Sequence, residues 1–205
     1  MPAWDYDIVA SFPSIARDLI DIRHCEWLKT EAYEEKAIYG YCECLVTIWG
    51  NTKVSPIIYQ DEQGNLSTPT GTWKTYLTKA EIDFIKEWNI GHTHIYSGWW
   101  AIPKWKPGKP LEHAMNRLLA YKESDNELAK MLAKRMSVGI YGKFGEEHKE
   151  EFGKHFCPCW FSEISTQVRL QVAEWIYKNR VQDHIIHISV DGVLLDCPVE
   201  ECSNA

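Results

Sequence analysis

Two aspartates at opposite ends of the chain, Asp7 and Asp191, each border a short apolar run with the look of a strand. Asp7 opens the stretch Asp7-Ile8-Val9-Ala10-Ser11-Phe12-Pro13-Ser14, and Asp191 follows Ile186-His187-Ile188-Ser189-Val190. Between them lies a cationic segment of helical character, Lys134-Arg135-Met136-Ser137-Val138-Gly139-Ile140-Tyr141-Gly142-Lys143-Phe144. Carboxylates hold divalent cations and lysines hold phosphates, so this set is the minimum equipment for metal-assisted phosphoryl transfer. Lys130 and Lys134 are four apart and share one helical face, and Lys122 on a facing helix would add a third ammonium. Tyr141 lies two further turns along the Lys134 face, which suits a ring beside a base or sugar. Plainer roles compete with each of these. A lysine pair on a helix is usually a solvated face, and Asp-Gly is the commonest hairpin turn signal. For Asp191 the turn and the metal-binding role can hold together.

The elements that must position these groups follow from local pattern. A first strand is expected over 1–10, then a helix over 15–28 capped by Ser14, on the spacing of Ile15, Leu19 and Ile22. Residues 39–48 alternate as a strand, with Glu43 and Thr47 facing outward. Asp61-Glu62-Gln63-Gly64-Asn65 reads as a turn between short strands, and 73–77 as another strand. Thr78 with Glu81 forms a capping box for a helix over 79–89, and a strand over 92–99 follows. The Pro- and Lys-rich stretch 102–110 is the clearest break. Two helices are then expected, 111–121 and 126–141, the second capped by Asp125. A long helix over 162–179 precedes strands at 185–190 and 193–196. A hairpin turning at Asp191-Gly192 beside the strand that ends at Asp7 would bring both carboxylates to one site. The fold class is α+β, with the 111–141 helical hairpin standing off the sheet.

Composition sets the bounds. The 205 residues, 45% hydrophobic and 25% charged, suit an ordinary globular protein with a sizeable core. No apolar run approaches the roughly 18 residues of a membrane helix, and the start of the chain has no signal-peptide pattern. A net charge of -7 argues against wrapping nucleic acid by bulk electrostatics. Lysines and arginines over 102–109 and 117–143 nevertheless leave room for a local basic channel. The 7 cysteines show no paired framework, so free thiols in a cytosolic setting are expected. Cys42-x-Cys44, Cys157-Pro158-Cys159 and His155 lack the usual zinc spacing, and His92-Thr93-His94 has no evident further ligand. Among 10 tryptophans, Trp99, Trp100 and Trp105 could stack bases, though packing is the commoner use.

In order, three motifs resemble those of the family B DNA polymerases, most closely the protein-primed type of phages and mobile elements. Asp7, Phe12, Pro13 and Ser14 resemble Asp-x-x-Ser-Leu-Tyr-Pro-Ser. Lys134, Tyr141, Gly142, Lys143 and Phe144 resemble Lys-x-x-x-Asn-Ser-x-Tyr-Gly-Lys-Phe. Asp191 alone survives of Tyr-x-Asp-Thr-Asp-Ser, with Ser189 at the first aspartate position and Val138-Gly139 in place of Asn-Ser. The resemblance implies an antiparallel palm sheet with packed helices (1–101 and 145–205) and a fingers hairpin (102–144). It implies nucleotidyl transfer from a dNTP to a primer 3′-hydroxyl, with Asp7 and Asp191 catalytic. Mg²⁺ or Mn²⁺ would be held by Asp7, Ile8 and Asp191. Phe12, Lys122, Lys130, Lys134 and Tyr141 would contact the nucleotide, Phe12 beneath the sugar unless it is simply a core ring. Gly142 and Lys143 would contact DNA. The implied partners are primer-template DNA, dNTP and a terminal protein or companion polymerase chain, in the cytoplasm of a host cell and without a membrane. With so little chain before Asp7 and after Leu195, a segment lacking exonuclease and thumb is expected. The departures at Ser189 and Val138 keep an impaired remnant or a split subunit as the alternative.

Overall fold

A computed structural model describes residues 2–149 and 151–202; Met1, with which the expected first strand began, lies outside them. The strands form three antiparallel sheets. β1 (Trp4–Asp7), β9 (Gly192–Leu195) and β8 (Ile185–Ile188) make one, in the order β1-β9-β8. The largest has the order β2-β7-β3-β6, from β2 (Cys25–Thr30), β3 (Tyr39–Ile48), β6 (Gly71–Thr78) and β7 (Gly91–Pro103). A two-residue pair, β4 (Tyr59–Gln60) and β5 (Leu66–Ser67), flanks the expected turn at Asp61. There the Asp61 carboxylate accepts from the Gln63 and Asn65 amides.

Six helices accompany these strands among the described residues: α1 (Ser11–Asp18), α2 (Lys79–Glu87), α3 (Glu112–Lys122), α4 (Glu127–Phe144), α5 (Pro158–Asn179) and the short α6 (Val199–Cys202). The capping box on α2 is complete: Thr78 Oγ1 accepts from the Glu81 amide, and Glu81 Oε2 accepts from the Thr78 amide at 2.8 Å. β3 packs Cys42, Cys44, Val46 and Ile48 against α2 and α5, with Trp100 of β7 fully buried beside them. The hairpin α3–α4 packs on α1 and α5 rather than on the largest sheet. Among the described residues no helix is long and apolar enough to cross a membrane.

Several expectations need correction. The first helix spans Ser11–Asp18, not 15–28, and its N-cap is Ala10 in the left-handed region (φ 55°) rather than Ser14. It stops at Leu19 because tertiary bonds take over: Tyr39 Oη accepts from the Ile20 amide at 2.7 Å, and Trp160 Nε1 donates to the Ile20 carbonyl at 3.1 Å. Residues 25–28, expected as the end of that helix, belong instead to β2 along β7. Asn126, not Asp125, caps α4, its Oδ1 accepting from the Ala129 amide at 3.1 Å. The expectation of free thiols holds for Cys25, Cys42, Cys44, Cys157 and Cys159, whereas Cys197 and Cys202 form a disulfide.

Candidate functional site

Register is what brings the two aspartates together. β1 pairs with β9 so that Asp7 lies opposite Gly192, one residue from Asp191. The Ile8 amide donates to the Asp191 carbonyl at 2.8 Å, and the Ser189 amide donates to the Gly192 carbonyl at 3.0 Å, closing the hairpin turn. Directly opposed antiparallel residues have Cα atoms about 4.5–5.5 Å apart, so Asp7 and Asp191 occupy one corner of the small sheet. Gly192 permits that approach: a Cβ there would stand 2.8 Å from the Tyr6 carbonyl oxygen and 3.4 Å from Asp7 Cα.

Asp7 is exposed and Asp191 half-buried. Among the described residues neither carboxylate joins an ion pair. The Ile8 amide is already engaged, which leaves its carbonyl as the group it could offer a cation. Hard oxygen donors at an open edge, uncompensated by protein cations, suit Mg²⁺ or Mn²⁺.

Beyond Asp7 the chain turns through Ala10 into α1 and presents Phe12, half-buried. Its ring centroid lies 5.0 Å from that of Tyr141 on α4. Tyr141 in turn stacks on Phe161 of α5 at 4.6 Å and hydrogen-bonds Ser165 Oγ at 2.8 Å. Because the Ser165 hydroxyl donates to the Phe161 carbonyl, the Tyr141 hydroxyl is the donor in that pair. Rings contributed by three helices are thus held in a fixed arrangement. Phe12 and Tyr141 border a groove of about 990 Å³ that runs along α5 past Ser165 and Arg169 to His187, Ser189 and Val190, the residues leading into Asp191.

Lys130 and Lys134 project from the same helix as Tyr141, and both are exposed. Lys130 pairs with Glu127 at 3.6 Å, a solvated contact of little strength, while Lys134 makes no ion pair among the described residues. Lys122 ends α3, half-buried, where that helix packs on α4. Gly142 is exposed, and Lys143 is tied to Glu146 at 2.5 Å. Ser189, at the position of the missing first aspartate, is exposed on the turn, and Val138 is 57% exposed on α4.

Sequence reasoning missed the wall that α5 supplies. Ser165, Arg169 and Ala173 repeat every four residues along one face, the signal that could have flagged them. Arg169 is anchored there by Glu81 at 2.7 Å and the Pro56 carbonyl at 3.3 Å. The metal reading of the Cys-x-Cys pairs with His155 finds no support. Among the described residues the one grouping of three metal-ligating side chains is His184, Cys197 and Cys202. His92 and His94 pack on Trp49 and Tyr96 instead.

No family model matches the chain, and no curated protein does. Solved structures do match. A phi29 DNA polymerase complexed with primer-template DNA superposes over 96% of this chain at TM-score 0.70 and 14% identity. A complex of the same polymerase with primer-template DNA and incoming nucleotide substrates gives 0.65 and 16%, and an orthorhombic crystal form gives 0.63 and 14%, again over 96% of the chain. The fold is that of part of phi29 DNA polymerase. The chain spans 38–39% of the length of those polymerases. At this identity the likeness speaks for the fold, and the palm-like arrangement with its helical hairpin follows the order in which the motifs were read.

Proposed function

We propose that the chain performs template-directed DNA synthesis, transferring a nucleotidyl group from a dNTP to a primer 3′-hydroxyl. The observation that carries this reading is the register of β1 on β9, which seats Asp7 beside Asp191 at an open edge. Divalent cations bound there would activate the primer hydroxyl and neutralise the triphosphate. Asp7, Asp191 and the Ile8 carbonyl would hold them. Lys134, Lys130 and Lys122 would draw the triphosphate along α4 as point charges. Tyr141 and Phe12 would bracket base and sugar, and Phe12 would exclude a 2′-hydroxyl by bulk. Gly142 and Lys143 would meet the DNA, which requires Lys143 to exchange Glu146 for a phosphate. A terminal protein or companion polymerase chain completes the partners we propose, in a phage or mobile element acting in a host cytoplasm.

The test is primer extension on a short template with Mg²⁺ and then Mn²⁺. The wild-type chain should extend the primer, and Asp7→Asn and Asp191→Asn should each abolish extension while leaving DNA binding in place. Extension that survives both substitutions would end the reading. The second reading is a palm that binds DNA or a partner chain without turnover, or a split subunit that needs one. It is favoured by Ser189, which stands where the resembled third motif has its first aspartate. DNA binding without extension, restored by a neighbouring gene product, would select it.

A further inference from the structure

Away from the aspartate corner, the far end of the β8–β9 hairpin gathers a second set of metal-ligating atoms. One atom each from His184, Cys197 and Cys202 lie within 4.8 Å of one another. Local structure builds the group. The Asp196 amide donates to the His184 carbonyl at 3.0 Å, which fixes the two ends of the hairpin side by side just before Cys197. The chain then folds back on itself, with the Glu201 and Cys202 amides both donating to the Pro198 carbonyl at 2.9 and 3.1 Å. That turn returns Cys202, 5% exposed, over Cys197. The spacing Cys197-Pro198-Val199-Glu200-Glu201-Cys202 leaves four residues between the cysteines, within the range structural zinc sites use.

His184 is prepared for a metal by its neighbour. Its Nδ1 lies 3.0 Å from Asp196 Oδ1, and an imidazole that donates its Nδ1–H to that carboxylate keeps the Nε2 lone pair free for a metal. The same carboxylate–histidine pairing orients ligands at many zinc centres. Tetrahedral zinc with Zn–S near 2.3 Å and Zn–N near 2.0–2.1 Å places its ligand atoms about 3.3–3.8 Å apart. Once the disulfide is reduced, the two sulfurs must move apart to that spacing, and the His184 imidazole must approach by no more than about 1.5 Å.

We propose that His184, Cys197 and Cys202 form a zinc site that alternates with the Cys197–Cys202 disulfide. Only thiolates bind zinc, so the two states exclude each other. A dithiol reductant delivers two electrons and two protons to the S–S bond, giving two thiols and its own disulfide. Zinc then displaces the two thiol protons to solvent, and water completes the tetrahedron. Either state staples the same place. Cys202 packs with Val181, Val193 and Leu195, and the Val199 amide donates to Tyr6 Oη at 3.1 Å, one residue before Asp7. The staple thus ties the chain after β9 to both strands that carry the aspartates, and it stands whether or not the chain proves to be a polymerase.

The experiment titrates Zn²⁺, and Co²⁺ as a spectroscopic probe, into the metal-free full chain in reduced and oxidised form. Reduced protein should take up one metal per chain with thiolate-to-cobalt charge-transfer absorption, and oxidised protein should take up none. Oxidising the zinc-loaded protein should release the metal. Cys197→Ser or Cys202→Ser should remove the charge-transfer band or weaken binding at least a hundredfold. Asp196→Asn should weaken it about 10–100-fold, while Cys157→Ser with Cys159→Ser should change nothing. Reduced wild-type chain that binds no zinc at tens of micromolar overturns the proposal without recourse to any variant. So does uptake that persists after both Cys197 and Cys202 are replaced.

Discussion

Gly192→Ala tests whether the aspartate corner owes its geometry to the close approach of two strands. The added methyl would sit 2.8 Å from the Tyr6 carbonyl oxygen, several tenths of an ångström inside ordinary contact. Ser189 Oγ, at 3.1 Å, can rotate away, but the Tyr6 oxygen is backbone and cannot. The strand must move, and β1 is the one that yields, because it is four residues long and lies at the edge of its sheet. Overpacking of this kind costs about 1–3 kcal/mol, which for a chain of this size lowers Tm by roughly 2–12 °C. The displacement of about half an ångström separates Asp7 from Asp191 directly. Misplacement by about 1 Å can cost a hundredfold in rate, so turnover should fall about tenfold and Mn²⁺ binding should weaken in parallel. Gly139→Ala is the control, since a Cβ there meets nothing within 4 Å and alanine favours the middle of α4 by up to about 1 kcal/mol. Thermal unfolding and Mn²⁺ titration of both variants decide the matter. A Gly192→Ala chain with unchanged Tm and unchanged Mn²⁺ affinity would refute the link between strand contact and carboxylate spacing.

Three further outcomes are expected. Burial raises the Glu163 carboxyl to about 7, against a partial offset from the Gln167 amide that donates to it at 2.8 Å. A raised acid contributes stability that is full below about 4.5 and lost as pH climbs through about 7. Urea unfolding at pH 5 and pH 8 should therefore show wild type losing on the order of 2.5 kcal/mol relative to Glu163→Gln, and a pH-independent difference would contradict the assignment. Phe12→Ala should relax selection against ribonucleotides tenfold or more, equivalent to about 1.4 kcal/mol. An unchanged ratio in competitive incorporation would leave Phe12 a packing partner of Tyr141. Lys134→Ala should raise the apparent KM for dNTP with template affinity nearly intact, whereas lost DNA affinity with an intact nucleotide response would assign α4 to the strand.

Where local chemistry dominates, the sequence was readable. Thr78 and Glu81 announce α2 because both halves of a capping box lie within one turn. The Asp191-Gly192 step marks the hairpin one residue off: the turn falls on Val190 and Asp191, between Ser189 and Gly192, and Gly192 belongs to β9. The α+β class and the helical hairpin followed from strand and helix periodicity, and the antiparallel sheet from the family resemblance. Failures fell where distant contacts decide. Cys25-Glu26-Trp27-Leu28-Lys29-Thr30 continues a helical apolar spacing, yet Tyr39 and Trp160 bind the backbone at Ile20 and release this stretch to pair with β7. β7 likewise runs on to Pro103 because β2 offers it a partner that no local pattern reveals. At the candidate site Asp7, Phe12, Tyr141 and Asp191 were named in advance. Arg169 and Ser165 were not, because a side chain that lines a groove looks like any other polar residue on a long helix.

α5 has a role beyond lining that groove. Its Ile164 and Val168 belong to the apolar cluster under the helical hairpin, Leu170 and Ala173 to the one beneath the largest sheet, and Val172 and Ile176 to the one behind β9. One rod skewers three cores that share no other element to this degree. No single core can melt without loosening this helix, and loosening it exposes the other two. Amide protons at the middle of α5 should accordingly exchange with solvent only when the entire chain unfolds. The α4 hairpin helix, with only Ala133, Ser137 and Phe144 buried, is free to open at far lower cost. Rigidity and mobility are thereby divided between two helices that meet at Tyr141, and a substrate entering between them would find one wall that stays and one that gives.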